Sequence, residues 1–329
     1  MAVLTSKNTG QLIAGNREDV LDAVFLIGQD EAPIMTKIGK GSKAKGVLHS
    51  WITDRIPEPE NKNFVEISAY PAAPKSTKQR TSNAVEIFMR AAGVSYDQSA
   101  SANYGKDEMA HQYELAMKAQ AKDVEYRILG LGRSSAVKTA VFMPPQERQD
   151  NVTPGKMGGF FYYVSNGETA WDTSGDYGTR GNVLAFDSAK NWSGSLTNVT
   201  TAILEEITGK PYDEGARVKD IYVGRVLKAK VNALFARQWV NDKNANLNIS
   251  QIELTNGIVN VHLHPFLSDK FGLEDVLIAG DFDFAKYAPL LTTIKQVPET
   301  ETAIKKMLYM SGCLEVRNSA AFSIGVGLK

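Results

Sequence analysis

"VLHSWITDRIPEPENKNFVEISAYPAAPKSTKQRTSNAVEIFMRAAGV" spans Val47–Val94, and its reading decides the fold. Val47, His49, Trp51 and Thr53 alternate with Leu48, Ser50 and Ile52, the two-residue period of a strand. Ala84–Val94 reads as a second strand, with Val85, Ile87, Met89 and Ala91 on one face. The segment between them, Asp54–Asn83, carries Pro57, Pro59, Pro71 and Pro74 and has no apolar cluster of its own. Structureless loops beyond about 12–15 residues are uncommon inside compact domains and tend to be functional. A long projecting hairpin buries little surface unless a neighbour covers it.

Upstream, residues 1–15 form a polar arm without periodicity. Asn16 reads as a helix N-cap, with Val20, Val24 and Ile27 following at helical spacing. "APIMTKIGKGSKAKG" (32–46) then leads into the first strand as a basic, Gly-rich bend. Its Gly39-Lys40-Gly41-Ser42 does not make a phosphate loop, which needs G-x-x-x-x-G-K-[ST] between a strand and a helix.

Downstream, Lys106–Leu129 is the longest predicted helix, with Met109, Tyr113, Met117, Val124 and Ile128 in a stripe and Gly130 and Gly132 as the stop. At 1.5 Å per residue it spans roughly 36 Å. Residues 144–195 are dense in Gly, Asn, Asp and aromatics and read as an irregular excursion with a strand at Phe160–Val164. An α/β section follows. It has a helix at 197–208 burying Val199, Ile203 and Ile207 and ended by Gly209 and Pro211, a strand at Ile221–Val223, and a helix at 225–238. Two strands then flank Asn256-Gly257, a type I′ turn signal, and Val276–Ala279 is a short buried strand. Alternation at Leu314–Arg317 and Phe322–Leu328 closes the chain with strands. The order predicts an α+β fold with extended appendages.

Lys plus Arg and Asp plus Glu are 37 each, so the basic surplus of a nucleic-acid binder is absent and self-association is permitted. The single cysteine, Cys313, excludes an internal disulfide and fits a reducing cytoplasm. No apolar run reaches a membrane span and the N-terminus has no secretory signal pattern.

Catalytic patterns are weak. There is no G-x-S-x-G, and Cys313 has no nearby His in sequence. His262 and His264 share one strand face and could in principle join Asp281 and Asp283 around a metal, but three or four ligands must converge and only two are placed, so a polar edge-strand face is the preferred reading. His49 and His111 are isolated. Arg55, Arg80 and Arg90 flank the hairpin as solvated charges or as partners for a neighbour's carboxylates.

Five strings, "NREDVLDAVFLIGQDEAPIMTKIGKG" (16–41), "HSWITD" (49–54), "KDEMAHQYELAMKAQAKDVEYRIL" (106–129), "KMGGFFYYVSN" (156–166) and "CLEVRNSAAFSIGVGL" (313–328), lie in order over nearly the whole chain. In these the chain resembles the major capsid proteins of tailed bacteriophages with the Hong Kong 97 (HK97) fold. The resemblance implies an N-arm at 1–43 and an E-loop at 44–92 that lies over the adjacent subunit. It implies a peripheral domain at 93–143 with a spine helix at 104–131, the excursion at 144–194, an axial domain at 195–290, and closing peripheral strands at 291–329. The function implied is self-assembly into an icosahedral or prolate virion shell around double-stranded DNA. An encapsulin-type compartment shell or another phage structural part is the alternative, and a metal-dependent enzyme a remote one.

Under that resemblance, Trp51, Arg55, Phe64, Tyr70 and Arg80 are inter-subunit candidates, and Gly39, Gly41 and Gly46 form a hinge between arm and E-loop. No catalytic residue, cofactor or metal is expected. The implied partners are further copies in hexamers and pentamers, a portal protein, a separate scaffolding protein, a decoration protein and non-specifically held DNA, with no membrane. Assembly is expected in the host bacterial cytoplasm. Some members cross-link Lys to Asn. Nothing selects a partner for Lys62, Lys75 or Lys78, Asn318 included, and no cross-link is expected.

Overall fold

The computed structural model describes residues 7–8, 11–12, 32–54, 56, 59, 61, 63–66, 69, 78–101, 107–131, 141–149, 152–167, 181–236, 250–296 and 302–329. The helix expected after Asn16 lies outside them. The elements run β1 (Lys7–Asn8), β2 (Gln11–Leu12), α1 (Pro33–Ile38), β3 (Leu48–Thr53), β4 (Gln79–Ala84), β5 (Glu86–Ser95), α2 (Tyr96–Ala100), α3 (Glu108–Ile128), α4 (Phe160–Val164) and β6 (Val183–Ala185). They continue α5 (Thr201–Asp213), β7 (Asp220–Val223), α6 (Arg225–Ala236), β8 (Gln251–Leu254), β9 (Gly257–Leu263), β10 (Leu277–Gly280), β11 (Ala285–Gln296), β12 (Ala303–Val316) and β13 (Phe322–Val326).

Two sheets organise the molecule. The first has order β11-β12-β5, is antiparallel throughout, and has α3 across one face. Asp107 caps α3 by accepting the Ala110 N–H, and Gly130, at φ +78, ends it. The buried line on α3 is Ala116, Gln120, Val124, Glu125 and Ile128. Of the expected stripe, Val124 and Ile128 are fully buried and Tyr113 is partly buried against Ala92, Ala116 and Leu308, while Met117 is exposed. The reason is the sheet beneath, where Gln120 Nε2 donates to the Phe88 carbonyl and Ala116 packs on Ala92 and Leu308.

The second sheet is mixed, in the order β6-β13-β10-β7-β9-β8. Period-two alternation splits its side chains between two cores. Ile221, Val223, Leu277 and Ala279 face Leu204 and Ile207 of α5 and Leu227 and Val231 of α6. Tyr222, Ile278, Phe322 and Ile324 face a larger core with Phe160, Phe161 and Phe282. Phe160 sits edge-on to Phe322 at 4.8 Å and parallel to Phe282 at 6.0 Å.

Several expectations need correction. The strand read at Ala84–Val94 is two strands. β4 ends at Ala84 and pairs with β3, while β5 belongs to the three-stranded sheet. On β5 the core face is Phe88, Ala92 and Val94, not the Ile87–Met89–Ala91 face, because the former parity points at α3. The strand expected at Phe160–Val164 is the helix α4; a five-residue apolar run carries no decisive period. The expected excursion contributes to the core: Met157, Phe160, Phe161, Val183–Ala185 and Trp192 are buried, and β6 pairs in parallel with β13. Helix α5 continues past Gly209 and Pro211 to Asp213, and the chain turns at Gly215, φ +86. The turn between β8 and β9 occupies Thr255 and Asn256, with Leu254 opposite Gly257, so it lies one residue before the expected Asn-Gly position. The stretch 291–329 divides between both sheets, since β13 pairs with β10 and β6.

Candidate assembly surfaces

The hairpin β3–β4 keeps a strict antiparallel register, Leu48 opposite Ala84 through Thr53 opposite Gln79. Its root is fastened to the rest of the chain by side chains that water does not reach. Asn83, fully buried, donates from Nδ2 to the Leu314 carbonyl at 2.7 Å and the Gly158 carbonyl at 3.3 Å, and its Oδ1 accepts the Gly158 N–H at 2.7 Å. The Tyr163 hydroxyl donates to the Ser82 carbonyl at 2.9 Å, and the Tyr163 ring meets Trp51 at 5.8 Å. The Val85 N–H reaches the Val47 carbonyl across the strands at 2.8 Å. Just past the root, Glu86 Oε2 accepts Arg127 Nε and the Met157 N–H, each at 3.0 Å. Away from the root the picture reverses. Ile52 is 69% exposed, Ile56 88%, Phe64 58% and Val65 74%. These apolar groups are left uncovered by the chain's own described residues.

The segment before the hairpin is fixed just as firmly. Glu125 of α3, with no exposed side chain, accepts the Ile34 N–H at 2.9 Å on Oε1 and the Met35 N–H at 2.8 Å on Oε2. It also meets His264 Nε2 at 2.7 Å. The Phe266 N–H donates to His264 Nδ1 at 3.1 Å, which assigns the hydrogen of this imidazole to Nε2. One carboxylate thus takes three N–H donors and joins α1, α3 and the end of β9. At the other end of α1, Lys37 Nζ lies 2.9 Å from Asp220, which His262 also contacts at 2.9 Å. Burial pushes the Asp220 carboxyl up, but the hydrogen bonds from Lys37 and His262 and the Lys37 charge outweigh it, so it titrates below the ordinary value.

The expected site residues are not gathered in one place. Trp51, an inter-subunit candidate, is 8% exposed and packs inside its own subunit against His49 and Tyr163, because its strand face points inward. Phe64 is exposed, and Arg80 is exposed with Nη2 donating to Ser50 Oγ across the hairpin at 3.1 Å. Arg55 and Tyr70 lie outside the described residues. Of the hinge glycines, Gly39 and Gly41 are tied to β11: Gly41 donates to the Tyr287 carbonyl at 2.7 Å, and Gly39 accepts the Tyr287 N–H at 3.1 Å. A Cβ at Gly41 would lie 2.8 Å from Lys286 Cβ, so close approach is what its lack of a side chain permits here. Around Gly46 the nearest atom to such a Cβ is at 4.0 Å.

The metal reading does not assemble. His262 turns to Asp220, His264 to Glu125, and Asp281 and Asp283 both clasp Lys219 Nζ at 2.8 Å. Hydrogen bonds to Asp281 and Asp283 raise the Lys219 ammonium, and its hydrogen bond lowers Asp283. Among the described residues no group of three His, Cys, Asp or Glu side chains converges for a metal. Cys313 is buried, and burial, aided by Glu315, pushes its thiol up to about 12, the opposite of an activated nucleophile. Asn318 spends its side chain on the Ala320 N–H at 3.1 Å. No helix among the described residues is long and apolar enough to cross a membrane.

Sequence reasoning missed Asn83 and the Glu125–His264 pair. A signal existed for one of them. Gln120 and Glu125 interrupt the side of α3 that carries Val124 and Ile128, and a polar residue beside a core stripe needs a partner.

A three-stranded sheet spanned by a long helix, a second mixed sheet and a projecting hairpin define a shell subunit of the HK97-like class. Solved structures share this fold. One from Microbacterium phage Oxtober96 aligns with a TM-score of 0.59 at 11% identity, over 95% of this chain and 96% of its own. A capsid of an empty GTA particle gives 0.58 at 12% identity over all of both chains. A satellite phage P4 procapsid that includes a size determination protein gives 0.55 at 13% identity, over 91% and 88%. No curated protein matches the sequence. The SU10 major capsid protein family matches residues 5–329, and the chain belongs to that family. It is a structural, shell-forming protein of the tailed-phage major capsid type.

Proposed function

We propose that this chain assembles, through hexamers and pentamers, into the icosahedral or prolate shell that encloses the double-stranded DNA of a tailed phage, and that it does so without enzymatic chemistry. The observation that carries this is the hairpin β3–β4, whose root is locked into its own subunit while Ile52, Ile56, Phe64 and Val65 stay uncovered. In a shell of identical subunits each such hairpin meets the next copy, and modest contacts repeated around a closed surface sum to a stable particle. Phe64 and Arg80 are the described interface candidates, with Arg55 and Tyr70 further along the same segment.

In this reading 1–43 is the N-arm, 44–92 the E-loop, α3 the spine of the peripheral domain, and α5 through β10 the core of the axial domain. The pivot between arm and E-loop falls at Gly46, because Gly39 and Gly41 are stitched to β11. A portal, a separate scaffolding protein and a decoration protein complete the particle. The size determination protein in one structural neighbour supports an accessory partner in assembly. Assembly takes place in the host cytoplasm.

The test is sedimentation of the purified chain with electron microscopy of heavy fractions, and nuclease treatment of particles isolated from host cells. Five- or six-fold rings or closed shells with nuclease-protected DNA are expected. Shells holding a protein cargo would replace this reading with a compartment shell. A strict monomer at high concentration would remove both.

A further inference from the structure

Between Ala32 and Thr53 the sequence has four lysines and no Asp or Glu, in a chain whose charges otherwise balance. Lys37 is spent on Asp220. Lys40, Lys43 and Lys45 are exposed, and Lys286 of β11 lies against Gly41 beneath them. None of these four is ion-paired with a described carboxylate. The nearby acids are already engaged: Glu315 by Arg317, Asp220 by Lys37, and Asp281 and Asp283 by Lys219.

The strip is held in place by backbone bonds. Gly41 donates to the Tyr287 carbonyl at 2.7 Å, Ala44 to the Pro289 carbonyl at 3.0 Å, and the Tyr287 N–H to the Gly39 carbonyl at 3.1 Å. The residues between these lysines are Gly41, Ser42 and Ala44, with Gly46 following Lys45, so the strip itself carries no bulky side chain beside the ammonium groups.

We propose that Lys40, Lys43, Lys45 and Lys286 form the surface on which this subunit touches the phosphate backbone of packaged double-stranded DNA. The proposal rests on the reading that the shell encloses DNA. Lysines act as point charges without the planar fork of arginine, and phosphate contacts position a duplex without reading bases. The strip therefore fits sequence-blind contact, weak per subunit and additive over many copies.

The probe is a fluorescein-labelled duplex of arbitrary sequence, titrated with the full chain by anisotropy from about 20 to 200 mM salt, the range in which phosphate contacts are most salt-sensitive. The wild type is expected to bind with log K falling against log salt with a slope of about −3.6, near −0.9 for each of four phosphates neutralised. Lys43→Gln with Lys45→Gln is expected to flatten that slope by about 2, roughly one per lysine. Lys230→Gln, which removes an exposed charge from α6, is expected to leave it unchanged. Circular dichroism confirms that each variant folds. An unchanged slope in the double variant, or no binding by the wild type at low salt, overturns the proposal. So does a double variant that binds DNA normally but fails to assemble, which would give the strip to an acidic surface of a second copy. Failure of the parent reading shows separately, as wild-type particles without nuclease-protected DNA.

Discussion

The two ends of the hairpin β3–β4 are built on opposite principles. At the root, Trp51 and Asn83 are buried, and every donor and acceptor of the Asn83 amide that reaches inward finds a partner on β12 or at Gly158. Toward the tip, Ile56, Phe64 and Val65 present apolar surface to solvent, as Ile52 does on the outward face of β3. The root stabilises the subunit, and the tip leaves burial energy unrealised until another molecule supplies the other half. A hairpin fixed at one end is a preorganised arm, and preorganisation lowers the ordering cost of binding.

That contrast can be broken from either side. The largest effect is expected not on the hairpin itself but at the matching fastening of α1. Glu125→Ala strands the Ile34 and Met35 N–H groups and His264 Nε2–H in the interior, and should cost about 3–5 kcal/mol in urea unfolding, because each buried donor left without an acceptor costs about 1–3 kcal/mol. At the root, Asn83→Ala orphans the Gly158 N–H and two carbonyls and should cost about 2–4 kcal/mol. Cys313, buried close to this root, gives a second readout. Its thiol should be inert to disulfide reagents at pH 8 in the wild type and should react faster in the Asn83 variant. An Asn83 variant as stable and as unreactive as the wild type would mean that the root is not a clamp.

The Asp220 knot predicts a pH dependence with a definite sign. Its folded pKa lies below that of an ordinary carboxyl, so its contribution is fully present above the ordinary carboxyl range and is lost as pH falls through the depressed folded pKa. Stability of the wild type measured from pH 5 downward should therefore fall more steeply than that of Asp220→Asn. Parallel curves would mean that Lys37 and His262 do not hold this carboxylate. The smallest stability effect belongs to the tip. Phe64→Ser should change unfolding free energy by no more than about 0.5 kcal/mol, as exposed substitutions do, while reducing the yield of assembled particles. Loss of stability without loss of assembly would reverse the assignment of the two ends.

Much of the fold was legible because its signals are local. The α3 helix shows its length and its Gly130 stop, β3 alternates, and the Pro-bearing stretch after Thr53 has no apolar cluster of its own. The α4 segment was not legible, because five apolar residues in a row suit a strand or a fully buried helix equally, and only the surrounding aromatic core selects the helix. The parity of β5 failed for a related reason. Both of its faces carry apolar residues, and the position of α3 decides which one is core. Trp51 reads from sequence as an interface candidate because a sequence does not say which face of a strand turns inward.

The sequence by itself determined that this chain has one long helix, a hairpin without a core of its own, balanced charge and no recognisable catalytic pattern. Those properties follow from composition and from periods a few residues long. Tertiary structure alone decided that Glu125 meets His264 and Ile34, that Asn83 meets Leu314, and that β13 crosses into the second sheet. These contacts join residues from about 40 to more than 200 positions apart, and a hydrogen bond between such partners leaves no periodic trace along the chain.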